Sequence, residues 1–384
     1  MKNWGWINLR FGIEEINAVR EVIESGQLSS FFREFRGGLR VQQFEKEFAE
    51  YLGVKHAISV SNGTAALHTA LLACDIGFGD EVLVPPYTFV STASSVLMAG
   101  GYPKFIDVDP KTYTMAPREI ARNISTRTKA IIPVSLLGHP ADMDAIREEA
   151  HAMKKDIKII EDAAQALGAK YKGRMVGTLA NCSCFSFQES KTITSCGEGG
   201  MVVTDDDRLA ERCQSIRNHG EYYSTSDIMG FNYRMTEIQA AFGTVQLRKL
   251  PNLLREYGNN AKIVMGNLPK GITPPYVSPD VEHSWYIIGC QIDEEELGVS
   301  KDKLVAELQT QYITHKRPGY VIGGGYSKPI YDWPYYQKWK RVCPVAERLI
   351  PKSFWMDIHR FKDADAVRWY MNKLDSIVEA IKRT

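Results

Sequence analysis

From Val41 onward, short apolar runs alternate with amphipathic stretches, and this alternation restricts the fold more than any other feature of the chain. A helix is predicted from Gln42 to Tyr51, a strand from His56 to Val60, and then Ser61-Asn62-Gly63-Thr64 opening a helix over Ala65 to Cys74. Strands are predicted at Glu81 to Val84, Tyr102 to Val108, Lys129 to Val134 and Ile157 to Ile160, with helical segments between most of them. Strands separated by helices imply an α/β class with a largely parallel sheet covered on both faces. Such sheets bind ligands outside the carboxyl ends of their strands.

With 384 residues the chain exceeds what one core usually serves, so a large and a smaller domain are expected. Residues 1–13 read as a lead-in. A helix over Glu14 to Glu24 follows, with Ile16, Val19 and Val22 on one face and Gly26 as its stop. The aperiodic segment Gln27 to Arg40 reads as a long loop, of the kind that covers a site or reaches a neighbour. A helix is predicted over Glu237 to Leu250, after which Pro251, Pro269, Pro274 and Pro275 mark the passage to a second unit. The expected division is therefore 1–250 and 251–384, the latter a small α+β domain. Its elements would be an apolar run at Trp285 to Cys290 and helices at Lys301 to Leu308 and Ala364 to Lys382.

Composition excludes several classes. A formal charge of +1 without basic or acidic blocks argues against nucleic acid or an anionic membrane as partner. No apolar run approaches the roughly 20 residues of a membrane span. The seven cysteines are odd in number, form no C-x-x-C pair and have apolar neighbours. That pattern suits reduced core thiols in a cytoplasmic protein better than a disulfide framework or a metal site. Small molecules and copies of the same chain are the partners left.

Three strand exits carry the chemistry. Cys182 to Phe187 reads as a buried strand that breaks at Gln188-Glu189-Ser190 and presents Lys191, followed by Gly197, Gly199, Gly200 and a second apolar run, Met201 to Thr204. A lysine with its ordinary pKa of about 10.4 is no nucleophile until its charged form is disfavoured, and the common use of such an amine is a Schiff base with an aldehyde. The alternative is an ordinary solvated loop lysine. After Val60, Gly63 and Thr64 feed a helix N-terminus that attracts phosphate, although Asn-Gly before a helix is also simply a turn. After Ile160 come Glu161 and Asp162, an acidic pair with little structural reason to end an apolar strand. Asp162 suits a protonated ring nitrogen and Gln165 another ring substituent; the alternative is that Asp162 caps a helix, with Gln165 three residues on. Ser186 stands near the end of the Lys191 strand. Amine, pyridinium partner and phosphate cradle are three parts of one cofactor, pyridoxal 5′-phosphate.

The ordered segments SNGTAALHTALLA, VPPYTFVSTASSVLMAGGYPKFIDVD, EDAAQALGA, SFxxxK with GEGG, and GFNYRMTEIQAA closely resemble the DegT/DnrJ/StrS-type aminotransferases over about Phe44 to Ile358. The resemblance implies an aspartate-aminotransferase-like fold of type I, with a mainly parallel mixed sheet in the large domain. It also implies transfer of an amino group from glutamate or glutamine to a keto-sugar or keto-cyclitol, the cofactor passing through pyridoxamine 5′-phosphate. Lys191 would carry the cofactor as a Schiff base and shuttle the proton, and Asp162 would keep the ring nitrogen protonated. Gln165 would contact the ring hydroxyl and Phe89 would stack on the ring. Gly63, Thr64 and Ser186 would hold the phosphate. Asn232 would reach the phosphate of a neighbouring subunit, making the site the property of a homodimer. Locally, Asn232 lies just ahead of a Thr236–Gln239 capping box and reads also as a turn residue.

Departures from the pattern bear on the acceptor. Gln188 replaces a frequent histidine, the loop RPGYVIGGGYSKPIYDWPYY replaces a short tyrosine-proline-histidine pattern, and the tail reads FWMDIHR. These features resemble the glutamine-dependent aminocyclitol branch and its aminohydroxybenzoate-forming relative. Arg317 or Arg360 would anchor a carboxylate or lie at the surface. A sugar dehydratase of the same family would carry histidine in place of Lys191. A non-catalytic regulator would not need Asp162, Gln165, Ser186, Lys191 and Asn232 together.

Overall fold

The computed structural model describes residues 10–29, 31, 35–221, 228–314, 322–323, 326–358, 361 and 363–383. Arg317, His359 and Arg360 lie outside the described residues. The predicted strands form, with small shifts of boundary: β1 (His56–Val60), β2 (Glu81–Val84), β3 (Tyr102–Phe105), β4 (Thr128–Ile131) and β5 (Lys158–Asp162). Two short strands follow, β6 (Lys170–Tyr171) and β7 (Arg174–Met175), and then β8 (Cys182–Ser186) and β9 (Gly200–Thr204). Seven of these make one sheet in the order β1-β9-β8-β5-β4-β2-β3. Only β9 runs antiparallel to its neighbours, so the sheet is mixed but mainly parallel.

Both faces are buried, as strand alternation dictates. Ile58, Val82, Cys184 and Val202 pack with the helices Gly63–Ala73 and Asp207–Arg217. Their chain neighbours Ala57, Phe185 and Val203 pack on the other face with the helix Leu39–Leu52. Strand β3 ends at Phe105, short of the expected Val108. Asp107 instead turns its carboxylate to the amides of Val345 and Ala346, at 2.8 and 2.9 Å, at the start of the helix Pro344–Leu349.

The second unit has strands β10 (Ile272–Thr273), β11 (Val281–Glu282), β12 (Ile288–Ile292), β13 (Ile322–Gly323) and β14 (Ser353–Met356). Four of them form an antiparallel sheet, β10-β12-β14-β13, while β11 pairs back to β6. The helix Ala364–Lys382 lays Val367, Leu374, Ile377, Val378 and Ile381 against this sheet's core.

One expectation is corrected. The helix predicted to stop at Leu250 runs from Glu237 to Met265, straight through Pro251. Proline in a helix interior costs about 3 kcal/mol. Here Leu247, Leu250, Leu253 and Tyr257 bury themselves in the core of the large sheet, and Ala261 and Val264 in that of the small one, so packing overrides the local signal. The division at 250/251 consequently falls inside a continuous helix rather than in a linker.

Candidate active site

A cleft of about 850 Å³ opens at the carboxyl ends of β1, β5 and β8. It is lined by Gly63, Thr64, Phe89, Asp162, Gln165, Ser186 and Lys191, seven of the eight residues singled out above, together with Thr88, Tyr286, Tyr326 and Trp355. Asn232, the eighth, is not among the lining residues. It sits exposed in the segment ahead of the helix Glu237–Met265, in an isolated antiparallel bridge with Asn218.

Register explains why residues so far apart converge. Val60 of β1, Gly200 of β9 and Ser186 of β8 stand in one row across the sheet. The helix that follows β1 therefore starts directly over Ser186, and a Cβ built on Gly63 would lie 2.8 Å from that of Ser186. Asn62 caps this helix, its side chain accepting the amide of Ala65 at 2.8 Å. The amides of Gly63 and Thr64, in the first turn, have no partner within the helix. They and the Ser186 hydroxyl make a cradle for an anion.

Asp162 pairs in register with Cys184, two residues before Ser186 on the same face of β8. It is buried, and burial pushes its carboxyl above the usual carboxylate range, opposed by hydrogen bonds and by the Lys191 charge. Thr92 donates to Oδ2 at 2.8 Å and the amide of Ala164 to Oδ1 at 3.2 Å. No helix follows it; the chain turns instead, so the capping alternative is not realised. Among the described residues it has no ion-pair partner. A buried carboxyl facing a cleft with only two neutral donors is suited to a cationic N–H from outside the chain.

Its neighbour has a different role. Glu161 points to the opposite face, where it accepts from Ser135 Oγ at 2.6 Å, the Gly177 amide at 3.0 Å and Ser183 Oγ at 3.2 Å. The acidic pair is thus half structural: Glu161 ties β5 to its neighbours while Asp162 faces the cleft.

Gln165 is locked in orientation. Its Oε1 accepts the amide of Leu137 at 2.9 Å, and Nε2 donates to Tyr326 Oη at 2.9 Å, leaving one Nε2 hydrogen for a further acceptor. Leu137 adopts φ 58°, a left-handed conformation that non-glycine residues seldom take and that here aims its amide at Gln165. Phe89 leaves 56% of its surface exposed, open to a flat ring.

Lys191 lies in an irregular loop. Its amide donates to Gln188 O at 2.8 Å, and its Nζ stands 4.8 Å from the ring centroid of Tyr286. Tyr286, Tyr326 and Thr92 escaped sequence reading. Tyr286 lay in an apolar run that signalled only a strand, Tyr326 in an aperiodic loop, and Thr92 contacts Asp162 across 70 residues of chain. All seven cysteines are free, and six are buried. Among the described residues no helix is long and apolar enough to cross a membrane.

Comparison with known proteins agrees with this geometry. The sequence profile of the DegT/DnrJ/EryC1/StrS aminotransferase family matches residues 10–374. The chain is 36% identical to the spore coat polysaccharide biosynthesis protein SpsC of Bacillus subtilis (strain 168), over 85% of its own length and 84% of that protein's. It is 39% identical to the GDP-perosamine synthase of Escherichia coli O157:H7, over 80% and 84%. Among solved structures, an aminotransferase from Psychrobacter cryohalolentis superposes with a TM-score of 0.86 at 31% identity, covering 97% of this chain and 98% of the other. The family match over residues 10–374, the relatives above 30% identity and the fold shared with solved aminotransferases place the chain in the DegT/DnrJ/EryC1/StrS family, as an aminotransferase of fold type I.

Proposed function

We propose that the protein moves the amino group of glutamate or glutamine to a keto-sugar carried on a nucleotide, using pyridoxal 5′-phosphate. The observation that supports the cofactor is the cleft itself, where a buried carboxyl without an ion-pair partner among the described residues, an anion cradle and a lysine converge. The 39% identity to a protein named for GDP-perosamine favours a nucleotide-linked sugar over a cyclitol or an aminohydroxybenzoate.

The residues present fit the cofactor. Asp162 would meet its ring nitrogen, Gln165 its ring hydroxyl, Phe89 its face, and Gly63, Thr64 and Ser186 its phosphate. The bound cofactor supplies an electron sink for the bond broken at the donor's Cα. The chain supplies the rest. Asp162, ionised once a cation lies against it, holds that ring nitrogen protonated. Lys191 Nζ takes the proton from the donor's Cα and, in the second half-reaction, delivers one to the acceptor carbon that becomes the amine-bearing centre. One base serves both directions, as microscopic reversibility requires.

Asn232, exposed and outside the cleft of its own chain, suits the cofactor phosphate of a second copy, so the working unit in this reading is a homodimer. The test is the visible absorption of the protein mixed with pyridoxal phosphate. A band above 400 nm is expected that bleaches on addition of L-glutamate or L-glutamine, and that Lys191→Ala does not form. A band of equal size in Lys191→Ala would refute the assignment of the lysine.

A further inference from the structure

Lys191 belongs to no helix or strand, and its backbone lies where its own loop satisfies few carbonyls. The carbonyls that flank it are met by a residue from the opposite end of the sequence. The Arg10 guanidinium donates from Nη2 to Glu189 O at 2.7 Å, and from Nη1 to Lys191 O at 2.7 Å and Thr192 O at 3.3 Å. Arg10 is only 8% exposed and forms no ion pair among the described residues. A buried guanidinium spent on three main-chain carbonyls of one loop is a fixture for that loop, because its planar fork sets the donor directions together.

The fixture is itself anchored. Gln246 Nε2, fully buried in the helix Glu237–Met265, donates to Arg10 O at 3.0 Å and to Glu15 Oε1 at 2.8 Å. Lys249 of the same helix holds the Glu15 carboxylate at 2.8 and 2.9 Å. The chain of contacts runs from the long helix through Gln246 to Arg10 and from Arg10 to the lysine loop.

We infer that Arg10 is a positioning residue for Lys191: it fixes the loop backbone so that Nζ occupies one place against the Tyr286 ring and the cleft. The inference rests on the reading of Lys191 as the reactive amine. Misplacing a reacting group by about 1 Å costs on the order of 10²-fold in rate. Lysine at position 10 offers a compact charge with no fork and cannot span all three carbonyls in one orientation.

The experiment compares wild type with Arg10→Ala and Arg10→Lys. In the cofactor-free protein, amide hydrogen exchange is measured at Glu189, Ser190 and Lys191, whose amides are held within the loop, and in the helix Glu237–Met265 as an internal control. In the protein loaded with pyridoxal phosphate, the first half-reaction with glutamate or glutamine is followed by absorbance, separating its rate constant from the donor concentration giving half-saturation. Arg10→Ala is expected to speed loop exchange at least tenfold with the helix unchanged. Its rate constant should fall about 10- to 100-fold, with half-saturation within about threefold of wild type; Arg10→Lys should fall between.

Unchanged rates with faster loop exchange would overturn the inference, as would equal acceleration of loop and helix, which signals general loosening. If Arg10→Ala does not fold, Arg10→Lys decides by the same criteria. Wild type that forms no band or ignores both donors would overturn the function proposed for Lys191 and this inference with it. A responsive wild type matched by its variants would overturn the inference alone.

Discussion

Asp162 concentrates the conflict between stability and function in one side chain. Its carboxyl is held above the ordinary value by burial, so between about pH 4 and the raised value the folded, cofactor-free protein keeps a proton that the unfolded chain has released. The stabilising contribution is complete below about pH 4 and is lost as pH rises through the raised value. Asp162→Asn keeps the shape and removes that titration. Glu161 is raised by burial as well and, to a lesser degree, by the Asp162 charge, so the variant removes the Asp162 titration and eases that of Glu161 in the same direction. Thermal unfolding of the cofactor-free proteins from pH 5 to 8 should show the variant declining less than wild type, with a Tm at pH 8 equal or higher. Its affinity for pyridoxal phosphate should meanwhile drop at least about tenfold, the price of losing a charge-assisted hydrogen bond. Equal destabilisation at every pH would make the role of Asp162 purely structural, through its bonds to Thr92 and Ala164. At this scale the sequence was partly readable. A carboxyl closing an apolar strand stood out, but nothing local separated Asp162 from Glu161, because the two differ only in which sheet face they meet. Arg10, Tyr326 and Thr92 act on partners 181, 161 and 70 residues away, so no window of sequence contains the interaction.

Elements were more legible than their ends, and the reason is visible in the helix that opens at Gly63. Apolar periodicity marked its body from Ala65, while its start is set by contact with other strands. Gly200 begins β9 at the point where a Cβ would stand 2.5 Å from Asn62 C and 2.9 Å from Gly63 N. Those are backbone atoms, so no rotamer change relieves the clash; either β9 leaves its row with Val60 and Ser186 or the helix start moves. Gly200→Ala is therefore expected to displace the Gly63 and Thr64 amides from the cradle. Inorganic phosphate and pyridoxal phosphate should both bind more weakly, the latter by about tenfold or more, as a helix N-terminus loses its aim at the anion. Equilibrium dialysis measures both, and unchanged affinities would mean that the cradle tolerates the shift. The helix Glu237–Met265 shows the opposite failure of local reading. Pro251 is a strong stop signal by itself, and it was outweighed by tertiary burial on both sides that the chain's periodicity did not reveal.

At the scale of the molecule, that helix joins two cores, steadies Arg10 through Gln246 and begins just after the turn that carries Asn232. The alternation of strands and helices was enough to foresee the large sheet and its ligand-binding edge. The proposed sharing of the site was legible only through the family resemblance, since within one chain Asn232 looks like any exposed asparagine. The proposed sharing of the site makes a prediction that neither variant makes alone. Lys191→Ala should be inactive, and Asn232→Ala should be weak at limiting cofactor. In a hybrid dimer of the two, one site would combine the intact lysine of the Asn232→Ala chain with the intact asparagine of its partner, while the other site would lack both. Hybrid dimers isolated through both tags should then show about half of wild-type activity, because one of their two sites is sound. Were Asn232 to serve its own chain, every hybrid site would be damaged and mixing would restore nothing. Transaminase activity of co-expressed, separately tagged chains, purified through both tags and assayed at limiting pyridoxal phosphate, distinguishes the two arrangements; activity no higher than that of Asn232→Ala alone would assign the asparagine to its own subunit.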